Sequence, residues 1–310
     1  MLIATSNEVF TLENGTPTQR LAIDGIRCLD EGVRCSAIGL ADGQVVILAN
    51  GQAQPQATGI GDPVESIALL SEEPLQVLLG TEPPHVYWLD GDGEPARRME
   101  SFDALECRQS WYTPWGGPPA VRSLARSGDW VFADIHVGSI MRSPDRGETW
   151  EPVTPDLHAD VHQVATAPME GRLYANTADA VFVSDDYGRS WEHRKEGLAS
   201  RYGRAVAVHP RDPDCLLASV SKGPGHGRDV QGKLYFSHDA GRTWTQALAG
   251  FPEAKGNIDT FHIAFDAEGI AWAAVEDQLY RSEDRGESWS AFWRAPTAIV
   301  AVACAQSNGI

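Results

Sequence analysis

The sequence predicts an all-β protein that folds as a single seven-bladed β-propeller, and three observations lead to this prediction. The pattern Ser-x-Asp-x-Gly-x-(Thr/Ser)-Trp occurs four times, and its copies end at Trp150, Trp191, Trp244 and Trp289. Such a repeat indicates one supersecondary unit used several times along the chain. Segments of alternating apolar and polar residues precede turn residues at similar intervals. The 30 Gly and 19 Pro among 310 residues suit many short strands joined by turns.

Each position of the repeated motif has a structural explanation. The Asp side chain can accept hydrogen bonds from backbone N–H groups inside a hairpin turn, and the Gly can take the positive φ that the turn requires. The Trp begins the next strand, where its large ring can pack between neighbouring sheets. We therefore predict that the motif aspartates shape turns and are not catalytic.

This motif resembles the Asp-box, or bacterial neuraminidase repeat, of the β-propeller superfamily. That superfamily includes sialidases and other glycosidases as well as photosystem II assembly-factor-like propellers, which act as binding platforms. Sialidases use three arginines, a Tyr nucleophile and an acidic group, and the corresponding candidates are Arg27, Arg122 and Arg204 with Tyr112 or Tyr202. The Arg-Ile-Pro segment of sialidases is absent and seven blades are counted instead of six, which argues against sialidase activity. The arginine-rich patch of the assembly factors has no obvious counterpart.

Seven third strands define the predicted blades. In the first three blades the motif has decayed, but period-2 strands still end in Asn-Gly or Asp-Gly turns at Gly15, Gly51 and Gly93. The first blade lacks an innermost strand, so we expect residues 298–305 to supply it and to close the ring by pairing the N- and C-terminal strands. The predicted single domain spans 1–310, with blades at about 297–310 plus 1–24, 25–60, 61–103, 119–157, 158–200, 201–254 and 257–296.

Composition narrows the functional classes. Lys and Arg number 25 against 43 Asp and Glu, a net charge of −18, which argues against nucleic-acid or anionic-membrane partners. The longest apolar run, 298–305, is too short to span a bilayer, and the start of the sequence lacks signal-peptide features. Cys28 and Cys35 could face each other across a hairpin, but we expect the five cysteines to be thiols. These features predict a cytoplasmic protein.

Two insertions interrupt the repeat, at 104–119 and at 221–232. An inter-blade connection and a loop between second and third strands lie on the same face of a propeller, opposite the motif turns. Insertions on repeat proteins often carry function. Trp111, Tyr112 and Trp115 in the first insertion either stack on a sugar or aromatic ligand or fill a gap between blades.

The same reasoning predicts a polar ring around the channel mouth on the insertion-bearing face. Its members come from the starts of innermost strands and from loops between second and third strands: Glu65, Arg122, His162, Arg204, residues 259–262, Glu82, His85, Asp134, His136, Asn176, Lys222, His226 and Arg228.

We derive two functional hypotheses from this ring. The first is a hydrolase or lyase whose catalytic residues are His136, His162, Arg122, Arg204, Glu65 and His262. A divalent Zn, Mn or Fe ion could be held by His136, His162, His226 and His262, with Asp134 or Glu65 orienting a ligand. The second is a non-catalytic scaffold or assembly factor that binds a protein or peptide. Both predict a small-molecule or peptide ligand at the mouth, although hydrogen-bonded groups and water could also line such a channel.

Overall fold

The computed structural model describes residues 1–13 and 15–305, which form seven four-stranded antiparallel sheets. The prediction of an all-β, seven-bladed β-propeller is confirmed. The described residues pack into two compact units, one comprising 1–152 with 300–305 and the other 153–299. The prediction of a single domain over 1–310 stays a prediction. The turn expected at Asn14-Gly15 and the end of the chain beyond 305 lie outside the described residues.

The first unit contains four blades. In its first blade the C-terminal strand pairs with the N-terminal strand, which confirms the predicted sharing of one blade by the two ends of the chain. By blade, the strands of this unit are β1 (Leu2–Thr5), β2 (Glu8–Glu13) and β3 (Thr16–Ala22) with β28 (Ile299–Ala303); β4 (Ile26–Glu31), β5 (Cys35–Leu40), β6 (Val45–Ala49) and β7 (Gln52–Gln56); β8 (Val64–Glu72), β9 (Leu75–Thr81), β10 (Val86–Asp90) and β11 (Arg97–Arg98); and β12 (Val121–Ser127), β13 (Trp130–Ile135), β14 (Ser139–Ser143) and β15 (Glu151–Pro152).

The second unit contains three blades, and in each the strands follow one another in sequence order. By blade, these strands are β16 (Val161–Thr166), β17 (Leu173–Thr177), β18 (Ala180–Ser184) and β19 (Glu192–Arg194); β20 (Tyr202–His209), β21 (Asp212–Ser221), β22 (Lys233–Ser237) and β23 (Thr245–Gln246); and β24 (His262–Phe265), β25 (Ala271–Val275), β26 (Gln278–Ser282) and β27 (Ser290–Arg294).

The repeated motif forms a compact hydrogen-bonded turn. Ser143 Oγ donates to Asp145 Oδ1 at 2.8 Å and accepts from the Gly147 amide at 2.7 Å. Asp145 also accepts from the Thr149 amide at 2.8 Å and from the Thr149 hydroxyl at 2.7 Å. The same four bonds recur in the other three copies. Burial alone would raise the pKa of Asp145, but these bonds outweigh it and lower the pKa, so the carboxylate stays ionised.

The motif turn uses two left-handed residues rather than one. Gly147 has a φ of 99° as the sequence predicts, and the preceding Arg146 has a φ of 60°. The motif tryptophans are buried, and the Trp150 indole N–H donates to the Gly147 carbonyl at 2.8 Å. The motif therefore ties its own turn to the packing of the blade.

Two short helices that the sequence did not predict lie at the first insertion: α1 (Glu100–Asp103) directly precedes it, and a 3₁₀ helix (Glu106–Ser110) lies within it. Phe102 is fully buried, and its ring lies 5.3 Å from Trp150 and 5.7 Å from Trp111. The insertion is thus anchored in the core of the first unit. Within the described residues, no helix has the length and apolar character needed to cross a membrane.

Candidate functional site

Five innermost strands carry a β-bulge at the end where each strand begins. The pairing register shifts between Ile26 and Cys28, Val64 and Ser66, Val121 and Ser123, Val161 and Gln163, and Gly203 and Val206. A bulge re-aims the side chain of its extra residue and is frequent next to active sites. The residues at these bulges are Arg27, Glu65, Arg122, His162 and Arg204. The sequence placed the last four at the mouth and named Arg27 only as a candidate in the comparison with sialidases.

In the first unit, two of these bulged residues form an ion pair. Arg27 Nε donates to Glu65 Oε1 at 2.9 Å, and Arg27 Nη2 donates to the same oxygen. The Glu65 side chain is 18% exposed and the Arg27 side chain 44%. The pair joins the innermost strands β4 and β8 and supplies a positive charge beside the Glu65 carboxylate.

Glu82 lies at the same end of β8, close enough to Glu65 for the charge of Glu65 to act on it. The Glu82 amide donates to the Pro63 carbonyl at 3.2 Å, which fixes the Glu82 backbone near the start of the strand that carries Glu65. Burial raises the pKa of Glu82, and the negative charge of Glu65 raises it further, while Arg27 and Arg122 act in the opposite direction. The sequence placed Glu82 in the ring but not among the catalytic candidates. Glu65 lies in β8 and Glu82 directly follows β9, so the effect of one on the other depends on the pairing of these strands and could not be seen in the sequence.

The first insertion places aromatic side chains beside His136. Trp111 is buried, so it fills a gap, as one of the two interpretations of this cluster expected. Tyr112 and Trp115 are 56% and 55% exposed, and the Trp115 ring lies 5.9 Å from the His136 ring. Nearby, the buried Asp134 accepts a hydrogen bond from the Ser123 hydroxyl. The cluster thus divides into a buried anchor and an exposed aromatic surface.

In the second unit, Arg204 is held by Asp259. Arg204 donates to Asp259 Oδ2 from Nε at 2.9 Å and from Nη2 at 2.6 Å. The same oxygen accepts from the Gly225 amide at 2.9 Å, so this pair also ties down the second insertion. Asn257 adds a further tie, because its side-chain oxygen accepts from the Val230 amide at 3.1 Å. This arrangement fixes the loop that contains Lys222, His226 and Arg228.

Both ring nitrogens of His162 face protein oxygens. Its Nδ1 donates to the Gly203 carbonyl, and its Nε2 lies 3.1 Å from Asp160 Oδ1. The Tyr202 ring lies 4.8 Å from the His162 ring. Asn176 is buried and donates to the Ala205 carbonyl at 2.8 Å. These contacts orient His162 and leave its ring nitrogens engaged by the protein.

His262 begins β24 and carries a perturbed ring. Removal of water by the surrounding protein lowers the pKa of His262 to about 4, although the charge of Asp259 acts in the opposite direction. The ring is therefore neutral near pH 7. His226 is exposed in the second insertion.

The predicted histidines are poorly arranged to bind a metal ion. Among residues 1–13 and 15–305, no group of three or more His, Cys, Asp or Glu side chains is arranged to hold a metal ion. His162 would have to give up a contact with Gly203 or Asp160 to become a ligand. The divalent metal therefore stays a prediction from the sequence, and no chemical step is derived through it.

Comparisons with known proteins agree with the fold. The family model described as Sortilin-Vps10 (sortilin, neurotensin receptor 3) matches residues 138–251. An oligoxyloglucan-reducing end-specific xyloglucanase from Emericella nidulans is 31% identical over 134 residues, which cover 39% of this chain. The xyloglucanase Xgh74A from Acetivibrio thermocellus is 24% identical over 219 residues, or 56% of this chain. The chain spans 15% and 25% of the length of these two curated relatives.

Solved structures of similar fold include a WD40 domain, a peptide complex and a xyloglucanase. The WD40 β-propeller domain of Doa1 has a TM-score of 0.62 at 13% identity and covers 99% of this chain and 89% of its own. YCF48 bound to a D1 peptide has a TM-score of 0.58 at 16% identity, with coverages of 94% and 84%. The GH74 xyloglucanase from Xanthomonas campestris has a TM-score of 0.61 at 16% identity, with coverages of 86% and 45%. With the repeated motif, these similarities fit a propeller of the Asp-box-like class.

Proposed function

We propose that the protein is a hydrolase that cleaves glycosidic bonds, with Glu82 as the proton donor and Glu65 as the second carboxylate. The observation that carries this proposal is the environment of the two side chains. The pKa of Glu82 is raised by burial and by Glu65, while Arg27 pairs directly with Glu65. Two carboxyl groups whose environments differ in this way are suited to acid and base roles.

Glycoside hydrolysis requires this division of labour. One carboxylic acid protonates the oxygen of the leaving group, and the other carboxylate either attacks the sugar carbon or activates a water molecule. Burial and the charge of Glu65 raise the pKa of Glu82, so Glu82 keeps its proton to a higher pH, and Arg27 pairs with Glu65 through a direct contact. Arg122 lies close enough to Glu82 to influence its pKa and is positioned by the bulge in β12.

The curated relatives support a glycosidic bond as the bond that the protein cleaves. Both are named as xyloglucanases, which act on a polysaccharide. The exposed Tyr112 and Trp115 add flat apolar surfaces on the insertion of the same unit. Such surfaces suit the apolar faces of sugar rings.

The test is the release of reducing ends from a panel of neutral and acidic oligosaccharides that includes xyloglucan fragments. We expect the wild type to turn over at least one member and the Glu82→Gln variant to be slower by about 10²–10⁴-fold, because general acid catalysis is worth that much. Absence of turnover across the panel, or full activity of Glu82→Gln, contradicts the proposal.

A second candidate function is a non-catalytic platform that binds a peptide. The observation that favours it is the half-exposed Trp115, and one structural neighbour is YCF48 in complex with a D1 peptide. A peptide-display screen against the wild type and Trp115→Ala tests it. Selective loss of binders in Trp115→Ala, with no turnover of the glycan panel, would favour this candidate. The cytoplasmic location and the exclusion of nucleic-acid partners stay predictions from composition.

A further inference from the structure

Basic side chains from several elements surround a single carboxylate, Asp103, in the first unit. Asp103 ends α1, and His85 lies in the loop between β9 and β10. Arg98 ends β11, and Arg108 lies in the 3₁₀ helix. The fold therefore brings together groups that are separate in sequence.

The contacts leave an excess of positive charge. His85 Nδ1 lies 2.7 Å from Asp103 Oδ1, and Arg98 Nε donates to Asp103 Oδ2. Arg108 Nη2 lies 3.4 Å from Asp103 Oδ1. Two guanidinium groups thus share one carboxylate, in a chain whose net charge is −18.

His85 lies between Asp103 and Arg98. Its Nδ1 can donate to Asp103 Oδ1 at 2.7 Å while its Nε2 accepts from Arg98 Nη2 at 3.1 Å, so one tautomer satisfies both contacts. Arg98 and Arg108 meanwhile contact one carboxylate, that of Asp103.

The two arginines differ in their packing and in their exposure to solvent. The Arg108 guanidinium lies 4.9 Å from the Trp111 ring and 5.5 Å from the Phe102 ring, and Nη1 donates to the Pro84 carbonyl at 2.8 Å. Burial lowers the pKa of Arg108, and although Asp103 raises it, the charge of Arg98 lowers it again. Arg98 is 49% exposed, whereas Arg108 is 20% exposed. Arg108 is a fixed charge, and Arg98 is the group that a ligand can reach.

We infer that this cluster binds a carboxylate group of the ligand and that the ligand class is an oligosaccharide containing uronic acid. The sugar part of this inference rests on the proposed function. A planar carboxylate fits the guanidinium fork and supplies a second negative charge beside the two arginines that share Asp103. His85 lies in the same short loop as Glu82, so an acidic sugar bound here would belong to the chain presented to the Glu65–Glu82 pair.

The test is calorimetric titration of the slow variant Glu82→Gln with a short oligogalacturonate and with its fully methyl-esterified counterpart. We expect the acid to bind more tightly than the ester. Adding Arg98→Gln should weaken binding of the acid about tenfold and leave the ester unchanged. Arg98→Lys should fall between, because it keeps the charge but loses the fork.

Arg97→Gln is the matched control. Arg97 precedes Arg98 in the same short strand, and it pairs with Glu148 at the surface, with side-chain exposures of 55% and 56%. Arg97→Gln changes the net charge by the same amount as Arg98→Gln and should leave the preference for the acid intact. A thermal melt of each variant establishes that the fold is retained.

Equal binding of acid and ester, no binding of either, or an unchanged affinity in Arg98→Gln overturns the inference. Binding of a glutamate-rich peptide that Arg98→Gln abolishes, without binding of the uronate, overturns the assignment to a sugar. Acid-selective binding without turnover by the wild type supports the inference and contradicts the proposed function. Turnover of neutral oligosaccharides without any preference for the acid supports the proposed function and contradicts the inference.

Discussion

Arg27 binds Glu65 across two neighbouring blades, with Arg27 Nε 2.9 Å from Glu65 Oε1. Each residue is the extra residue of a β-bulge at the start of its innermost strand. The pair connects the repeat architecture to a chemical site, since the bulge aims the side chains and the ring of blades brings them together. The charges of both residues also act on Glu82.

The pH dependence of turnover should report this charge. Arg27 lowers the pKa of Glu82, so Arg27→Met should raise it. A proton donor works while protonated and loses activity as pH rises through its pKa. The alkaline limb of the rate profile should therefore move to higher pH in Arg27→Met. An alkaline limb that stays in place or moves down would remove Glu82 from the role of proton donor.

The stability of the protein should depend on pH through His262. Its pKa is about 4 in the folded chain, below the value of about 6.5 for an unfolded His. The unfolded state then binds more protons between these pH values. The free energy of unfolding should fall as pH drops through this window, by up to about 1.4 kcal/mol per pH unit. Urea unfolding of His262→Gln should lack this part of the dependence, and an identical pH profile would contradict the assignment.

The first insertion should be anchored by Phe102, which lies in α1 directly before it. Phe102→Ala removes a fully buried ring and should lower the free energy of unfolding by about 3–5 kcal/mol. Tyr112→Ala, within the insertion and 56% exposed, is the control and should change it by less than about 1 kcal/mol. Urea denaturation measures both. Similar losses in the two variants would mean that the insertion does not depend on the Phe102 ring.

The second insertion should loosen when Asp259 is changed. Asp259→Asn weakens the contacts with Arg204 and with the Gly225 amide, so hydrogen exchange over residues 221–232 should speed up by roughly tenfold or more. The control is Asp229→Asn, because Asp229 pairs with Lys222 at the surface. Unchanged exchange in Asp259→Asn would show that other contacts hold the loop.

The metal prediction has its own test. Elemental analysis of the purified protein should give a stoichiometric divalent ion if the histidines act as ligands, and the double variant His136→Ala, His162→Ala should lose it. The contacts of His162 with Gly203 and Asp160 lead us to expect no stoichiometric metal in the wild type. A tightly bound ion that the double variant loses would contradict this expectation.

The repeat architecture could be predicted from sequence because its signals are local. Period-2 strands and turn residues marked the third strand of every blade, and the missing innermost strand pointed to the C-terminal strand β28. The short helix α1 was missed, since four residues carry little intrinsic helical signal and the packing of Phe102 against Trp150 decides their conformation.

The candidate site could be predicted in part. The sequence placed Glu65, Arg122, His162 and Arg204 at the starts of innermost strands, and the structure has a β-bulge at each of these positions. Their partners could not be predicted, because pairs such as Arg204–Asp259 join distant parts of the sequence. The importance of Glu82 likewise depends on neighbours that only the fold supplies.

The most direct measurement is the initial rate of reducing-end release from the panel of neutral and acidic oligosaccharides by three proteins, the wild type, Glu82→Gln and Glu73→Gln. Glu73 is an exposed glutamate of the same blade that pairs with Arg34 at the surface. The account predicts activity in the wild type and in Glu73→Gln and a loss of about 10²–10⁴-fold in Glu82→Gln. Equal rates in all three proteins, or no turnover by the wild type, would contradict it.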